Sequence, residues 1–562
     1  MPDLTQEILY GDMNSVAKAI IAGADLNVKD RYGLTPLIET VVANKIDIAK
    51  MLLKQGAEVD REGFTGKTPL HWAVDHYNLA FCELFLQKGA DPNSYAADGQ
   101  PLLINAILRQ QQDLIDLLVK YGGNLYFANN YITTKQVSHR FELLGKVDLA
   151  DTNNKLIDIE YEGFYLEFTI GILRQSLIDF VASLAASQFK DLRVYLTKII
   201  RILNKAAKLI AHKYMRSEEI NKAEIMEELT EDLILIPVTY AGHAITFVKY
   251  GNVFVKCDRG VSHVVDTIVI NKVGNPYLLT PEFLFDLLYK PQSDKYITQE
   301  IKQELQLTPL ATLPTRSQLS GNCSWANTES SIPAMLFVLL FAGDTGNKAA
   351  VGKLKRRVMS FYRAWVEWDK ARRFSYCLER FYAANALNKI TQVQLLCSIL
   401  VQRCNYSKPV ELQRAKKIMP IVTMPKYQFI LKSYIKMFCH TRLGKISKMG
   451  KNFAKVLREC GLDLDNLDLR YPLQLAAANG ELLMIKYLLK ELKLDLNIQD
   501  VNGNTALMYA AWHGHLEVVK YLVAKGARGD IVNQQNGDAL AYAKQGGYGD
   551  VVVFLKNCDY SF

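Results

Sequence analysis

Four short segments recur along the first 124 residues at a fixed distance. "AGAD" (22–25), "QGAE" (55–58), "KGAD" (88–91) and "YGGN" (121–124) follow one another every 33 residues. A unit that short cannot bury an apolar face by itself, so neighbouring units have to stack, and at least about three are needed for a stable fold. Shortly after the first three segments come "LTPL" (34–37), "KTPLHWA" (67–73) and "GQPLLINA" (99–106). In the first two, Thr is placed to cap a helix by accepting a free N–H, and Pro fits the first turn because it has no N–H to lose. The Gly of each preceding segment ends a helix in left-handed backbone, and Asp or Asn shapes the turn beyond it.

The pattern stops after about Phe127 and returns near the other end. "YPLQLAAANGELLMIKYLLKELKLDLN" (471–497), "TALMYAAWHGHLEVVKYLVAKGA" (505–527) and "DALAYAKQGGYGDVVVFL" (538–555) are three more units, with a partial one in "FAKVLRECGLDLDN" (453–466). Both sets resemble the ankyrin repeat. The resemblance implies two helical solenoids, 1–127 with four repeats and 446–562 with three and a partial one, that bind other proteins. Trp72 and Trp512 are candidate binding residues on the repeat faces. His71, His513 and His515 sit where ankyrin histidines make local hydrogen bonds, and they are not read as ligands or catalysts.

Between the solenoids lies enough chain for about one to two further domains. The longest apolar run, 332–342, falls short of the ~20 residues that span a bilayer, so no membrane span is expected. "MPDLTQEILYGDMNS" has neither a basic nor an apolar signal region, so no classical secretory signal is expected. The nine cysteines form no CxxC pair, and no metal site, disulfide framework or cofactor is read. Charge is segregated: residues 346–459 hold 25 Lys and Arg against 5 Asp and Glu in a chain of net charge +9, so the remainder is acidic.

Residues from about Tyr131 to Leu229 read as helical, with apolar residues at three- and four-residue spacing. The period then changes. Residues 232–240, 243–250, 253–260 and 266–273 are β-branched and aromatic runs split by short turns, which predicts an antiparallel meander. A tight turn at Gly251-Asn252 makes His243 and Asp258 cross-strand or diagonal neighbours. A carboxylate beside an imidazole raises its pKa and selects its tautomer, as a general base requires; a satisfied polar pair is the plainer reading. His263 is a rival base. Further on, "RSQLSGNCSWANTESSIPAML" (316–336) puts Cys323 after a Gly-Asn turn and at the start of an apolar helix. Free N–H groups at a helix start favour a thiolate and an oxyanion, and Gln318 could add a donor; a small core residue is the alternative.

The order His243, Asp258, Gln318, Cys323, on "IPVTYAGHAITFV", "VKCDRG" and "QLSGNCSWAN", resembles the ubiquitin-like-protein proteases. That resemblance implies an α+β cysteine-protease-like domain, 128–345, in which Cys323 is the nucleophile, His243 the base, Asp258 the orienting acid and Gln318 the oxyanion donor. The chain departs from the family in the Gln-to-Cys spacing, in Ala244 after the His and in Ser324 after the Cys. These departures leave the substrate, and protease versus acyltransferase chemistry, open.

A basic helical region, 346–445, follows. Within it, residues 353–390 read as one helix with Trp, Tyr and Phe among its cations. An ordinary helix with core aromatics is one reading, and a surface for nucleic acid or an acidic partner is the other. The whole is α+β multidomain: two ankyrin solenoids flanking a protease-like domain with an antiparallel sheet and a basic helical extension. The combination resembles the ankyrin-repeat effectors of Legionella. It implies export by a non-classical, type IV route into a host cell, to cytoplasm or nucleus, and a host protein as partner. Two functions fit: a thiol hydrolase acting on a protein or ubiquitin-like conjugate, or a non-catalytic scaffold that binds and disrupts a host protein or ribonucleoprotein complex.

Overall fold

The Thr-Pro signals open helices. Thr35 accepts from the Ile38 N–H and Thr68 from the His71 N–H, with Pro36 and Pro69 in the first turn. In the third repeat Gln100 stands where the others have Thr, and the helix Ile104–Leu108 starts without a side-chain cap. Paired helices (Pro36–Val42 with Ile46–Lys54, Pro69–Asp75 with Leu79–Gln87, Ile104–Leu108 with Gln112–Lys120) share one core through Leu37, Leu52, Leu70, Leu86 and Leu118. Turn asparagines tie each repeat to the next: Asn27 Oδ1 accepts from the Glu58 N–H and Asn93 Oδ1 from the Asn124 N–H, both at 2.8 Å.

The computed structural model describes residues 4–558 apart from 152, 154, 164, 215–221, 241, 261–265, 316–321, 342–347, 385, 442–444, 463–471 and 492–493. The chain forms two compact units, Met1–Phe374 and Ser375–Phe562. The second holds the other repeat helices, Pro472–Ala478 to Gly549–Lys556, and the same devices: Thr505 caps Ala506–Trp512, and Asn497 Oδ1 accepts from the Arg528 N–H at 2.9 Å. Ahead of them the helix Lys448–Glu459 buries Gly450 against the Cys439 carbonyl, where a Cβ would clash with backbone. Gly450→Ala should therefore destabilise this unit by about 1–3 kcal/mol, the usual cost of overpacking, read as a lower urea midpoint.

In the first unit, part of the stretch expected to be helical is a hairpin: β1 (Lys146–Ala150) pairs antiparallel with β2 (Leu156–Glu160). Val147, Leu149, Ile157 and Ile159 are buried, the alternation of a half-exposed hairpin. That short period-two signal is hidden between the long helical runs on either side. The third repeat rests on it, since a side chain at Gly99 would run into Ile157 and Ile159.

Beyond lies a five-stranded antiparallel meander: β3 (Leu233–Tyr240), β4 (His243–Tyr250), β5 (Val253–Cys257), β6 (Asp266–Lys272) and β7 (Thr308–Pro314). Both faces are covered. Leu235, Val248 and Val255 join one core, and Ile236, Phe247 and Phe254 join another. This is why these strands read as unbroken apolar runs. β7 was not among the expected strands. It carries Pro309 and Pro314, which only an edge strand tolerates, and its ladder runs along β6 alone.

The helix Cys323–Phe341 packs on β4 and β5, beside the helices Leu166–Ala182 and Arg193–Tyr214. Ser324, Asn327, Thr328, Glu329, Ser330 and Ser331, in its first half, are all buried. The basic segment is not one helix: Lys348–Ala383 ends, and Ala386–Arg403 begins. Phe361, Trp365, Phe374 and Phe381 are buried, while Arg357 pairs with Asp191 and Arg372 with Asp179. These four aromatics are core and not stacking platforms. Among the described residues no single helix is long and apolar enough to cross a membrane.

Candidate active site

The turn at Gly251-Asn252 pairs Tyr250 with Val253, and the register runs to Thr246 opposite Cys257. His243 opens β4 and Asp258 follows the last residue of β5, so the two meet diagonally past the end of the ladder. His243 Nε2 lies 3.3 Å from Asp258 Oδ1, and Lys256 Nζ is 3.1 Å from the other carboxylate oxygen. Across from them the Asn322 carbonyl accepts from the Ala326 N–H at 2.9 Å, the first bond of the helix. Cys323 is thus the first helical residue. The His243 ring and the Ala244 and Ser324 N–H groups are the neighbours that act on its thiol.

The electrostatics follow from those contacts. Burial alone would raise the Cys323 thiol, but the His243 hydrogen bond, the Ala244 N–H and the imidazolium charge outweigh it and lower its pKa. Burial pushes Cys82, Cys257, Cys439 and Cys460 the other way, up to about 12. His243 is pushed up to about 9, first by the Asp258 hydrogen bond and then by the thiolate, against burial. Asp258 is opposed by burial, yet the His243 hydrogen bond and the Lys256 charge hold it below the usual carboxylate range. Each partner thus favours the charged form of the other.

Other residues frame the three. Tyr240 faces His243 across the β3–β4 register and packs edge-on to its ring at 5.6 Å. Burial, then the neighbouring Asp258 charge, pushes its hydroxyl up to about 12, so it stays a neutral donor. His139 is fully buried, is lowered to about 3 by burial, and stacks on Trp325 at 5.7 Å. Being neutral, it donates from Nδ1 to Asn322 Oδ1 and so fixes the residue before the thiol. Tyr240 and Lys256 were missed in the sequence. The signal was present: Tyr240 sits across a tight turn from His243, and Lys256 is two residues from Asp258 on one strand face.

Of the residues singled out by sequence, Cys323, His243 and Asp258 come together. Gln318 and His263 lie outside the described residues. Trp72 is half-buried and stacks on His76 of its own repeat at 5.9 Å, and Trp512 is edge-on to Tyr542 of the following repeat at 5.3 Å, so both rings pack within the solenoids. His71 Nδ1 bonds the Thr68 hydroxyl locally at 2.9 Å, whereas His515 Nε2 reaches the Ala478 carbonyl of the preceding repeat at 3.0 Å.

Known proteins similar to this chain share its repeats, and a solved structure is similar over most of its length. The ankyrin-repeat family matches residues 4–96, 445–535 and 493–561. Inversin of Danio rerio is 37% identical over 81 residues, 14% of this chain and 8% of that protein. Palmitoyltransferase ZDHHC13 of Homo sapiens is 32% identical over 98 residues, 17% of this chain and 16% of that protein. The chain spans less than a fifth of either relative. The solved structure of the Legionella effector AnkH is similar over 83% of this chain and 98% of that one, at 33% identity and a TM-score of 0.68.

Proposed function

The chain belongs to the family of the Legionella effector AnkH, and from that premise we propose that it is an effector acting inside a host cell, its ankyrin repeats binding a host protein and Cys323 carrying out acyl transfer. Export by a type IV route, to host cytoplasm or nucleus, belongs to the same proposal. The observation that carries it is the meeting of Cys323, His243 and Asp258, with the thiol held at a helix start and lowered where burial raises Cys82, Cys257, Cys439 and Cys460.

The chemistry runs as follows. The Cys323 thiolate attacks the carbonyl carbon of a peptide or isopeptide bond, forming a C–S bond and moving charge onto the carbonyl oxygen. The N–H at the helix start stabilises that oxygen, and the family resemblance gives Gln318 the role of a second donor. As the C–N bond breaks, the leaving amine takes the proton of the His243 imidazolium. A water then gives its proton to His243 and attacks the thioester, the C–S bond breaks, and the thiolate returns. Asp258 stays ionised and holds the ring in its tautomer throughout.

A panel of ubiquitin-like proteins carrying a C-terminal thiol-reactive electrophile tests the reading. We expect at least one to form an adduct with the wild type and none with Cys323→Ala. Rapid alkylation of Cys323 by a small reagent, with no adduct from the panel, would move the substrate to another acyl class. A Cys323 that reacts no faster than the other cysteines would sink the enzyme. It would leave the scaffold reading, which Tyr32 and Phe64 favour: these are 67% and 69% exposed at the turns of successive repeats, a surface for a protein partner.

A further inference from the structure

Asn327 lies four residues after Cys323, one turn further along the same face of the helix. It is fully buried. Its side-chain amide makes two hydrogen bonds, each to the residue that directly follows a member of the site. Nδ2 donates to the Ala244 carbonyl at 2.7 Å, and Ala244 follows His243. Oδ1 accepts from the Arg259 N–H at 2.6 Å, and Arg259 follows Asp258. The Asn327 main-chain carbonyl also accepts from Thr246 Oγ1 at 3.0 Å, further along β4. The orientation of the amide is dictated by its partners, since a carbonyl can only accept and an N–H can only donate.

Two consequences follow. The β4–β5 register ends at Cys257, so the Asp258–Arg259 segment lies past the ladder and is tied to the helix by Asn327. Ala244, held by its carbonyl, is also the residue whose N–H acts on the Cys323 thiol. One planar group thus fixes the chain beside the base, the chain beside the acid, and a donor to the thiol. Asp at this position would offer two acceptors and repel the Ala244 carbonyl. Leu would offer neither bond, and Gln would be longer by a methylene.

We propose that Asn327 is a positioning residue of the thiol site, a clamp that sets the His243 and Asp258 strands on the helix carrying Cys323. This rests on the acyl-transfer reading above, so the test separates the two. The rate of Cys323 alkylation by iodoacetamide is measured against pH, by mass spectrometry, in the full chain. Asn327→Asp and Asn327→Leu should slow alkylation at pH 7 by roughly three- to tenfold and move the midpoint of the pH profile upward, because thiolate fraction sets the rate. Ser331→Ala removes a buried hydroxyl on the same helix that bonds only locally, to the Thr328 carbonyl at 2.7 Å, and should leave the midpoint in place. A folded Asn327 variant with the wild-type midpoint would overturn the clamp. Should neither variant fold, hydrogen exchange on the wild type decides: the Arg259 amide should be protected like those of the strands, and free exchange there overturns the clamp. A wild-type midpoint in the ordinary thiol range, unmoved by His243→Ala, would instead remove the thiol-site reading. A low, His243-dependent midpoint that ignores Asn327 would remove only the clamp.

Discussion

In His243→Ala, Cys323 should react with iodoacetamide at pH 7 on the order of ten times more slowly than in the wild type. An ordinary thiol with a pKa of about 8.5 is only about 3% thiolate at that pH, so complete ionisation is worth about thirtyfold, and the lower nucleophilicity of a more acidic thiol takes back part of it. The structure supplies the reason for ionisation: against burial, His243 contributes both a hydrogen bond and a charge to the thiolate. Without the ring the burial remains, so the midpoint of the pH profile should rise toward or above the ordinary thiol range. Asp258→Asn should act in the same direction and less strongly, because it lowers His243 from about 9 without removing it. Alkylation and hydrolysis should then part on the alkaline side. Alkylation needs only thiolate and stays high, whereas hydrolysis also needs the imidazolium proton and should fall as pH rises through about 9. The stability sign agrees. A folded-state His pKa raised above its unfolded value stabilises fully below about 6.5, and that contribution is lost as pH rises through about 9. Uniform labelling of all accessible cysteines, with or without His243, would sink this account.

What the sequence made legible is what local rules govern. The 33-residue period, the Thr-Pro helix starts and the two-residue turn at Gly251-Asn252 each act over a few residues. That turn sets the β4–β5 register and with it the meeting of His243 and Asp258. Cys323 was readable for the same reason, from a turn followed by an apolar run. The β1–β2 hairpin escaped because five-residue strands carry too few alternations to stand out between long helices. β7 escaped because its prolines argue against a strand unless its place at the sheet edge is known. The helix opened by "SWANTESS" reads as buried and is buried, but what satisfies its polar residues is not legible in the sequence. Its partners, Ala244 and Arg259 for Asn327, come from 83 and 68 residues away. Nor does composition distinguish a free cation from a paired one, so the basic segment looked more available than it is: Arg357, Arg372 and Arg373 each face an acid of the same unit.

Arg140→Ala should cost the unit Met1–Phe374 about 3–5 kcal/mol, the range found when one partner of a buried ion pair is removed. The guanidinium lies between the Trp325 and Trp365 rings, 5.1 Å from each centroid. Its Nε donates to Asp369 Oδ2 at 2.6 Å and its Nη1 to Glu329, partners 229 and 189 residues away in the chain. All three side chains are buried. Burial alone would raise Asp369, but the charges of Arg140, Arg373 and Arg372 outweigh it and hold the carboxyl well below its usual range. In the wild type this contribution is present above the unfolded carboxyl value and is lost as pH falls through the folded one. Truncation reverses part of the balance. Asp369 loses a counter-charge without regaining water, and burial then favours its protonated form. The gap between wild type and Arg140→Ala should therefore be widest near pH 7 and narrow toward pH 4, read by urea unfolding with Trp fluorescence. Arg140→Met combined with Glu329→Gln and Asp369→Asn should lose less than Arg140→Ala alone, since matched neutralisation leaves no uncompensated charge. The network also reaches the site. Trp325 is two residues from Cys323, and Glu329 lies 3.5 Å from Arg259, the neighbour of Asp258. Slower Cys323 alkylation should accompany the lost stability in Arg140→Ala. A variant within about 1 kcal/mol of wild type at pH 7, well under the buried-pair range, would mean that the remaining arginines neutralise both carboxylates and that Arg140 contributes only its stacking between the two indoles.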